Sequence, residues 1–584
     1  MRELVLTGHK DTWPVDEKQA LFFGPHCFCY NDKYEFLEQD KFQIAPSPWK
    51  NARNILEASL YIDELYDRII PRLSSIMNSL YGLLYGEKFW NAYMILWLQH
   101  WLGVVYDRYR RLEYVGESLK EKFVVKIIDE YDPAVSDFWS FISKITEGHY
   151  HNLLLMSDII SHAQFDFLDC ERISIDPEAS AGNKRLSFKD TSREFLLSSK
   201  EIVKDRLNRF FTSSMFLGTI YGLSTVDKIC LQFSRDPAFL LKKKINSPAK
   251  AIRISRNELN NIRLEFGAKN SFEKVVEDVL LKHMPDNLLT VYRYSSAVCP
   301  NIKTWVGMDI YFSQKKCFNI ASILERGGRW ISSQHGGSYG QSMAFPPGKM
   351  EYQMTGEFIT WGWKHEHIYN SNYRPLPSPM LSKLKKHAEK EDSIIFVGAA
   401  MFAYLYRLNN YLTSEQIIDY MKNKVIFLNH LEERILQKIK YQPYHHDYGT
   451  KEREIVGKIL SDDQFLIGRK ATDLFRRVRL AVIDHPSTGF LEALTMNTPT
   501  ILYWDPEHFT PCEAAKPYFE KLRSVGILFD SPEAAARKVN EVCVDVQKWW
   551  NGSSIQGAKD DFCFQFARAQ ADWRREWVKF VKDL

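Results

Sequence analysis

Two short segments of the chain combine residue types that could bind a ligand or react with it. The first is Gln334–Gly340 (QHGGSYG), where His335 precedes Gly336 and Gly337. Glycine has no Cβ, so these two positions would let the backbone approach a ligand closely. A free imidazole titrates at about pH 6.5, which suits proton transfer near neutrality. His335 is therefore a candidate general base, transition-state donor or ligand for a leaving phosphate. A loop histidine that bonds only to backbone is the alternative.

The second segment, Leu480–Pro506, has the pattern of a buried strand that leads into a helix. The polar residues at this junction are Asp484, His485, Ser487 and Thr488, and Gly489 follows them. The free N–H groups of a helix start and the helix dipole attract anions, and Ser and Thr are residues that cap such a start. We therefore predict a phosphate site at Ser487–Gly489, with His485 beside it. Glu492, one turn into the helix, would reach the hydroxyls of a ribose. An ordinary capped helix is the alternative.

The elements around these segments indicate an α/β protein. Glu3–Gly8 (ELVLTG) is predicted to be a strand, and beyond residue 393 short apolar runs alternate with helical patterns, which is typical of a parallel sheet. The runs predicted as strands there are Ser393–Ala399, Lys424–His430, Phe465–Gly468, Leu480–His485, Thr498–Trp504 and Val525–Asp530. Over about 48–145 the spacing of apolar residues is helical. The apolar run Ala92–Tyr106 is shorter than the ~20 residues that span a bilayer, so it predicts a buried helix.

These patterns predict two Rossmann-like domains that face a cleft. The first domain would occupy 1–375 and carry the helical insertion at about 48–145. Three prolines and a charge run between Asn370 and Asp392 mark 376–392 as a linker. The second domain would occupy 393–560, and 561–584 would be a C-terminal helix that crosses back to the first.

Charge and cysteine usage narrow the class of protein. With 77 basic and 73 acidic residues the net charge is +4, which argues against a nucleic-acid-binding protein. The nine cysteines include no C-x-x-C spacing, which favours reduced thiols in the cytoplasm over a zinc site or a disulfide framework. The first residues lack the apolar run of a signal peptide. Aromatic residues reach 14%, which fits a cleft that stacks sugars as well as large cores.

The stretch Ile483–Pro506 (IDHPSTGFLEALTMNTPTILYWDP) resembles the donor-nucleotide segment of GT-B glycosyltransferases. Together with QHGGSYG, Phe358–Trp363 (FITWGW) and Leu21–Phe28 (LFFGPHCF), it resembles surface-polysaccharide transferases of the O-antigen cluster type. These are distantly similar to capsule Kdo transferases and CMP-sialic-acid transferases. The resemblance implies a GT-B-like fold in which Ser487, Thr488 and Glu492 hold the nucleotide.

The function implied by this resemblance is transfer of a sugar from a nucleotide donor to a surface glycan or lipid-linked glycan. A CMP-activated nonulosonic or ulosonic acid, such as pseudaminic acid or Kdo, is the leading donor. No cofactor other than the donor substrate is expected. Two other functions remain open, namely a CDP-polyol phosphotransferase and a non-catalytic glycan-assembly protein that keeps the fold.

The sequence offers several candidates for the catalytic carboxylate and gives little sign of a metal site. Asp11, Glu351 and Glu357 are candidate bases. No Asp-x-Asp motif occurs, so we expect a metal-independent enzyme; His365 and His367 lack further ligands at metal-binding spacing.

The C-terminal helix, with Trp573, Trp577 and Phe580 at helical spacing, either packs on the first domain or touches the cytoplasmic face of the inner membrane. The basic run Leu240–Arg256 could also meet a membrane or an anionic acceptor, with a solvated face as the alternative.

Overall fold

The computed structural model describes residues 1–31, 41–49, 51–128, 133–175, 214–236, 251–292, 302–345, 347–366, 368–369, 371–389, 391–408 and 412–584. Most of the basic run Leu240–Arg256 and His367 lie outside these residues. All structural statements below refer to the described part of the chain.

Parallel sheets of five strands each carry the fold. In spatial order, the first sheet contains Gln43–Ile44, Leu21–Phe22, Arg2–Val5, Phe123–Ile128 and Leu168–Ile173. The second sheet contains Asn372–Pro375, Glu357–Thr360, Arg329–Ser333, Thr304–Val306 and Met215–Leu217. The third sheet contains Ile439–Gln442, Glu391–Val397, Val478–Ile483, Thr500–Tyr503 and Leu528–Phe529. Ala251–Arg253 and Thr290–Tyr292 form a separate antiparallel pair.

The order of the strands determines where ligands can bind. Counted along the chain, the strands of the first sheet lie in the order 3-2-1-4-5 and those of the third in the order 2-1-3-4-5. Both orders are doubly wound, so each sheet has a crevice at its carboxyl edge where the winding reverses. In the third sheet this crevice lies between Glu391–Val397 and Val478–Ile483. The second sheet runs in simple chain order and has no such reversal.

The carboxyl edges of the sheets meet. Tyr404, which follows the first strand of the third sheet, donates its hydroxyl to His149 or accepts from it at 2.6 Å, and Tyr30 donates its backbone N–H to Gly449 at 3.0 Å. The predicted α/β fold is therefore confirmed, because two Rossmann-like sheets face one another in a GT-B-like arrangement. The sequence analysis predicted one α/β domain before residue 375, whereas this part of the chain contains both the first and the second sheet.

Helices cover the sheets and fill the spaces between them. Their bounds are Ala52–Tyr81, Glu87–Leu119, Phe138–Glu147, His149–Ala163, Thr225–Arg235, Arg256–Asn260, Ser271–Val279, Gln314–Glu325, Pro379–Ser382, Ser414–Asn429, Glu433–Leu436, Glu452–Val456, Ala471–Phe475, Thr488–Thr495, Lys516–Ser524, Pro532–Val542, Val546–Trp550, Ser553–Phe566 and Trp573–Asp583. Glu87–Leu119 includes the apolar run Ala92–Tyr106, which is almost wholly buried, as predicted. A helix that is apolar on all sides must be covered on all sides.

Some secondary-structure elements predicted from the sequence pattern were wrong. Lys424–His430, predicted to be a strand, lies almost entirely in the helix Ser414–Asn429, because a short run of four apolar residues fits either structure. Phe465–Gly468 is not a strand and pairs with its neighbour only through a single bridge at Phe465. The strand Ile439–Gln442 was missed, and the helical segment at 48–145 also contains the strand Phe123–Ile128.

The C-terminal helix packs on the second sheet. Trp573, Trp577 and Phe580 are at most 4% exposed and belong to one apolar cluster with Met215 and Ile331 of that sheet. The apolar face of this helix is therefore covered by protein. Across the described ranges, helices that combine the length and the apolar character needed to cross a membrane do not occur.

A candidate active site at the meeting point of the sheets

His335 lies at the carboxyl end of the strand Arg329–Ser333, the central strand of the second sheet, and faces a buried carboxylate. Its Nε2 is 3.4 Å from Oε1 of Glu351 and also contacts the hydroxyl of Tyr339. The side chain of Glu351 is 0% exposed, whereas that of His335 is 27% exposed. The carboxylate is thus hidden behind the ring, and the ring is the part of the pair that a ligand can reach.

Two tyrosines complete the surroundings of this carboxylate. Tyr339 donates its hydroxyl to Oε2 of Glu351 at 2.7 Å, and Tyr311 donates its hydroxyl to Oε1. Burial, reinforced by the charge of Glu351, raises the pKa of both phenols well above the ordinary value. They therefore remain protonated donors over the whole physiological range. Four side chains from three separate segments of the chain form one hydrogen-bonded cluster.

Glu351 lies on a single π-helical turn, Lys349–Gln353. Turns of this kind are rare and frequently occur at functional sites. The other candidate carboxylates lie elsewhere. Glu357 begins a strand and pairs with Arg374 at 2.9 Å, and Asp11 is exposed, 3.9 Å from the ring of His9. Of the three predicted bases, the structure brings only Glu351 to His335.

The glycines after His335 allow its loop to touch the start of the helix Thr488–Thr495. Gly337 donates its N–H to Oγ1 of Thr488 at 3.0 Å. A Cβ on Gly337 would lie 2.6 Å from the carbonyl carbon of Ser487, and one on Gly336 would lie 3.1 Å from Oγ1 of Thr488. The two segments singled out in the sequence are therefore neighbours in space, although Gly337 and Thr488 are 151 residues apart along the chain. The close approach seen here is between two loops, and the role of these glycines at a ligand stays a prediction.

The predicted phosphate site has an open helix start. Ser487 is the N-cap of Thr488–Thr495, yet its hydroxyl caps none of the helix N–H groups. A Cβ on Gly489 would meet nothing within 4 Å, so space remains beside this turn. Glu492, one turn further, is half-buried, and burial raises the pKa of its carboxyl to about 7. The hydroxyl of Ser487 thus makes no capping bond, whereas its own N–H donates to the carbonyl of His485 at 3.1 Å. Phosphate binding at this turn stays a prediction.

The ring of His485 is held in place by a buried cluster of charged and polar side chains. Its Nδ1 is 2.9 Å from Oδ1 of Asp484, which also accepts the hydroxyl of Tyr420 at 2.6 Å and contacts Nζ of Lys424. Nζ of Lys424 lies 3.4 Å from Glu452. Burial alone would raise the pKa of Asp484, but Lys424 and then His485 outweigh it and lower the pKa. Asp484 is therefore ionised and fixes the imidazole of His485.

Sequence reasoning missed the residues that support this site. Lys424 was assigned to a strand, and Tyr311 and Tyr420 were not singled out. Gly398 is the signal that could have pointed to the cluster, because it ends a strand and a Cβ there would lie 2.6 Å from the hydroxyl of Tyr441 and 2.9 Å from Nζ of Lys424. Groups of three or more His, Cys, Asp or Glu that could hold a metal ion are not found in the described ranges.

The fold defines an α/β protein whose candidate site lies where the carboxyl edges of parallel sheets meet. The chain belongs to the LIC12162 family of transferases, since the model of that family matches residues 2–581. It is therefore a transferase. No curated protein sequence matches it.

Solved structures resemble the chain only distantly. A crystal structure of TarM is 8% identical, with a TM-score of 0.28 over 48% of this chain and 55% of that chain, so the match spans about half of TarM. A structure of S. aureus MnaA with UDP is 12% identical, with a TM-score of 0.31 over 49% of this chain and 74% of that chain. A mutant O-GlcNAc transferase from Thermobaculum terrenum is 12% identical, with a TM-score of 0.29 over 91% of this chain and 99% of that chain.

A paired substitution tests the helix start as a phosphate site. Ser487→Ala combined with Thr488→Val is expected to weaken nucleotide binding by about 1–3 kcal/mol, since hydrogen bonds to a charged group are lost. Ser487→Ala alone is the cleaner variant, because Thr488 also holds Gly337. Calorimetry measures the affinity.

The control is Ser531→Ala, which removes the N-cap of Pro532–Val542, a helix of the same domain. This control should cost stability but not nucleotide affinity. Unchanged affinity in the Ser487 variant, with an intact fold, would remove this residue from the site.

Proposed function

We propose that the protein is a glycosyltransferase that binds a nucleotide sugar at Ser487–Glu492 and reacts it with an acceptor hydroxyl beside His335. The contact between Gly337 and Thr488, at 3.0 Å, is the observation that carries this proposal. It brings the N-terminus of the helix Thr488–Thr495, where we predict anion binding, close to the loop that carries His335. Such a site can hold a leaving phosphate and deprotonate a nucleophile in the same step.

The helix start suits a donor that leaves as a phosphate. Its free N–H groups and dipole favour negative charge, and His485 lies directly beside it. The nucleotide part would then follow the crevice between the strands Glu391–Val397 and Val478–Ile483. The carboxyl of Glu492, half neutral near pH 7, would serve as either donor or acceptor to a ribose hydroxyl.

The hydrogen bonds of His335 specify how it would act. Both phenols donate to Glu351, so the ring N–H that faces this cluster is the proton on Nε2. The other ring nitrogen, Nδ1, then carries the lone pair, and none of its contacts lies within the cluster. His335 would accept the proton of the acceptor hydroxyl at Nδ1, and Glu351 would stabilise the resulting imidazolium.

One exposed aromatic ring lies beside the imidazole and a second lies against Tyr311, and both could stack on a sugar acceptor. The ring of Tyr221, 41% exposed, lies 5.9 Å from that of His335. Trp139, 54% exposed, donates its indole N–H to the carbonyl of Tyr311 at 2.9 Å. Rings that keep an open face beside a reacting group can stack on the apolar faces of a glycan. A surface glycan or lipid-linked glycan is the acceptor that this surface favours.

The leading donor is a CMP-activated nonulosonic or ulosonic acid, on the strength of the resemblance described above. CMP is expected to raise the melting temperature more than UDP or GDP at equal concentration. A ligand that binds only the folded protein stabilises it by RT ln(1 + [L]/Kd). A thermal-shift series with CMP, CDP, UDP and GDP measures this. A clear preference for UDP would reject the CMP-sugar donor and leave the glycosyltransferase proposal intact.

The chemical identity of the product distinguishes a glycosyltransferase from the two alternative functions. A CDP-polyol phosphotransferase would leave a phosphate in the product, whereas a glycosyltransferase transfers the sugar alone. Donor hydrolysis without acceptor would rule out a non-catalytic assembly protein. We place the reaction in the cytoplasm, at or near the inner face of the membrane where a lipid-linked acceptor would be presented.

A further inference from the structure

A buried glutamine ties the QHGGSYG loop to another segment singled out in the sequence, FITWGW at Phe358–Trp363. The side chain of Gln334 is 1% exposed. Its oxygen accepts the backbone N–H of Trp361 at 2.9 Å and the indole N–H of Trp363 at 3.0 Å. Because both of these groups are donors, the opposite end of the side chain is the NH2 group. That group donates to the carbonyl of Gly336 at 2.9 Å.

The peptide that Gln334 holds also contacts the helix start at which we predict a phosphate. The carbonyl of Gly336 and the N–H of Gly337 belong to one peptide, and this N–H donates to Oγ1 of Thr488 at 3.0 Å. A trans peptide is planar, and its carbonyl and N–H point in opposite directions. By holding the carbonyl on one side of the loop, Gln334 directs the N–H to the other side, toward Thr488.

This peptide needs a restraint, because glycine stands on both sides of it. Glycine has no Cβ and reaches many backbone conformations, so rotation of a peptide between two glycines meets little steric resistance. Half a turn would bring the carbonyl of Gly336 to the hydroxyl of Thr488, in place of the N–H of Gly337. The hydrogen bond from Gln334 opposes that rotation.

The direction of the peptide decides what Thr488 can offer to a ligand. A hydroxyl that accepts the N–H of Gly337 keeps its own proton for another partner, and a phosphate oxygen is a strong acceptor for it. With the peptide reversed, the hydroxyl would donate this proton to the carbonyl of Gly336. The carbonyl oxygen would then also repel an anion. The observed direction is therefore the one that suits a phosphate at this helix start.

The FITWGW segment is a rigid support for Gln334. Trp363 is 0% exposed, and a Cβ on Gly340 would lie 2.5 Å from its ring, so both ends of the QHGGSYG loop lie against this indole. Thr360 donates its hydroxyl to the carbonyl of Trp363 at 2.6 Å. The backbone N–H of Gln334 donates to the carbonyl of Ile359 at 2.8 Å. The amide of Gln334 is thus fixed before any ligand binds.

We propose that Gln334 is a positioning residue for the sugar donor. It keeps the N–H of Gly337 on Thr488, so that the hydroxyl of Thr488 donates to the phosphate of the nucleotide. This inference rests on the proposed function, and it gives FITWGW a role as the support of Gln334. The glutamine acts through Thr488 without touching the substrate.

A double-mutant cycle on nucleotide affinity tests this coupling. The four proteins are the wild type, Gln334→Met, Thr488→Val and the double variant, and the probe is whichever of CMP, CDP, UDP and GDP binds the wild type most tightly by calorimetry. Each single variant should weaken binding about tenfold or more, the loss expected for one hydrogen bond to a charged group. Gln334→Met should cost little further affinity in Thr488→Val, because the hydroxyl through which Gln334 acts is already absent.

Gln464→Met is the matched control. Gln464 is 8% exposed, and its NH2 group donates to the carbonyls of Leu436 and Ile439, each at 2.9 Å. Its replacement should lower the melting temperature and leave nucleotide affinity unchanged. If Gln334→Met does not fold, Gln334→Glu takes its place in the cycle at pH 8. Its carboxylate is close to the amide in size and accepts from both tryptophans, but it has no proton for Gly336.

The outcomes separate this inference from the proposed function. Unchanged affinity in either single variant, or an equal loss from the Gln334 substitution in the wild-type and Thr488→Val backgrounds, would overturn the role of Gln334. Nucleotide binding by the wild type would still support the donor site in that case. A wild type that binds none of the four nucleotides would reject the donor site and the role of Gln334 together.

Discussion

Replacement of His335 by alanine is expected to lower turnover by about 100-fold or more. This is the usual loss when a group that transfers a proton or stabilises developing charge is removed. The rate to measure is release of free nucleotide from the donor that the thermal-shift series identifies. Folding should hardly change, because the ring is 27% exposed and supports little of the core.

Nucleotide affinity separates the possible roles of this histidine. If His335 deprotonates the acceptor, the variant should bind nucleotide normally. If it holds the donor phosphate, affinity should fall along with turnover. Glu351→Gln should reduce turnover as well, since it removes the charge that orients the ring and stabilises its protonated form.

His430→Ala is the matched control for this experiment. His430 is exposed at the end of the helix Ser414–Asn429, and within the described residues its ring bonds to the carbonyl of Ile426 alone. Turnover should be unaffected by its removal. Normal turnover in His335→Ala, or loss of its fold, would mean that the QHGGSYG loop is architectural.

Lys424→Met is expected to reduce the free energy of unfolding by about 3–5 kcal/mol. Removing one partner of a buried ion pair leaves the other charge uncompensated, and losses of this size follow. The side chains of Lys424 and Asp484 are each 1% exposed, so water cannot replace the missing ammonium. Chemical denaturation followed by fluorescence measures the change.

The same substitution should weaken nucleotide binding, because Asp484 orients His485. Adding Asp484→Asn should restore part of the stability, since it removes the uncompensated charge, but not the nucleotide affinity. Lys438→Met is the control, because Lys438 is 41% exposed and its pair with Asp392 lies in solvent. Exposed pairs contribute at most about 1 kcal/mol. A loss of that size or less in Lys424→Met would contradict the assignment of a buried charge cluster.

The sequence alone determined the class of fold and the two segments of the candidate site. Strands such as Val478–Ile483 are buried on both faces and therefore appear in the sequence as continuous apolar runs. Such a run can be recognised without knowing which strands pair with it. The change from strand to helix at Ser487 is equally local, because capping depends on residues within one turn. His335 was recognisable for the same reason, since its glycines are adjacent to it in the chain.

Only the tertiary structure decided which residues meet. The pairing of His335 with Glu351 and the contact of Gly337 with Thr488 both join segments that the chain does not bring together locally. Strands of two residues, such as Leu21–Phe22, carry too little periodicity to reveal a sheet. The run Lys424–His430 could be assigned to a helix only once its neighbours were known, because burial of Lys424 depends on Asp484, 60 residues further along the chain. Long-range packing therefore determined which side chains contact one another in the site, whereas the local sequence pattern determined which segments form its strand, loop and helix.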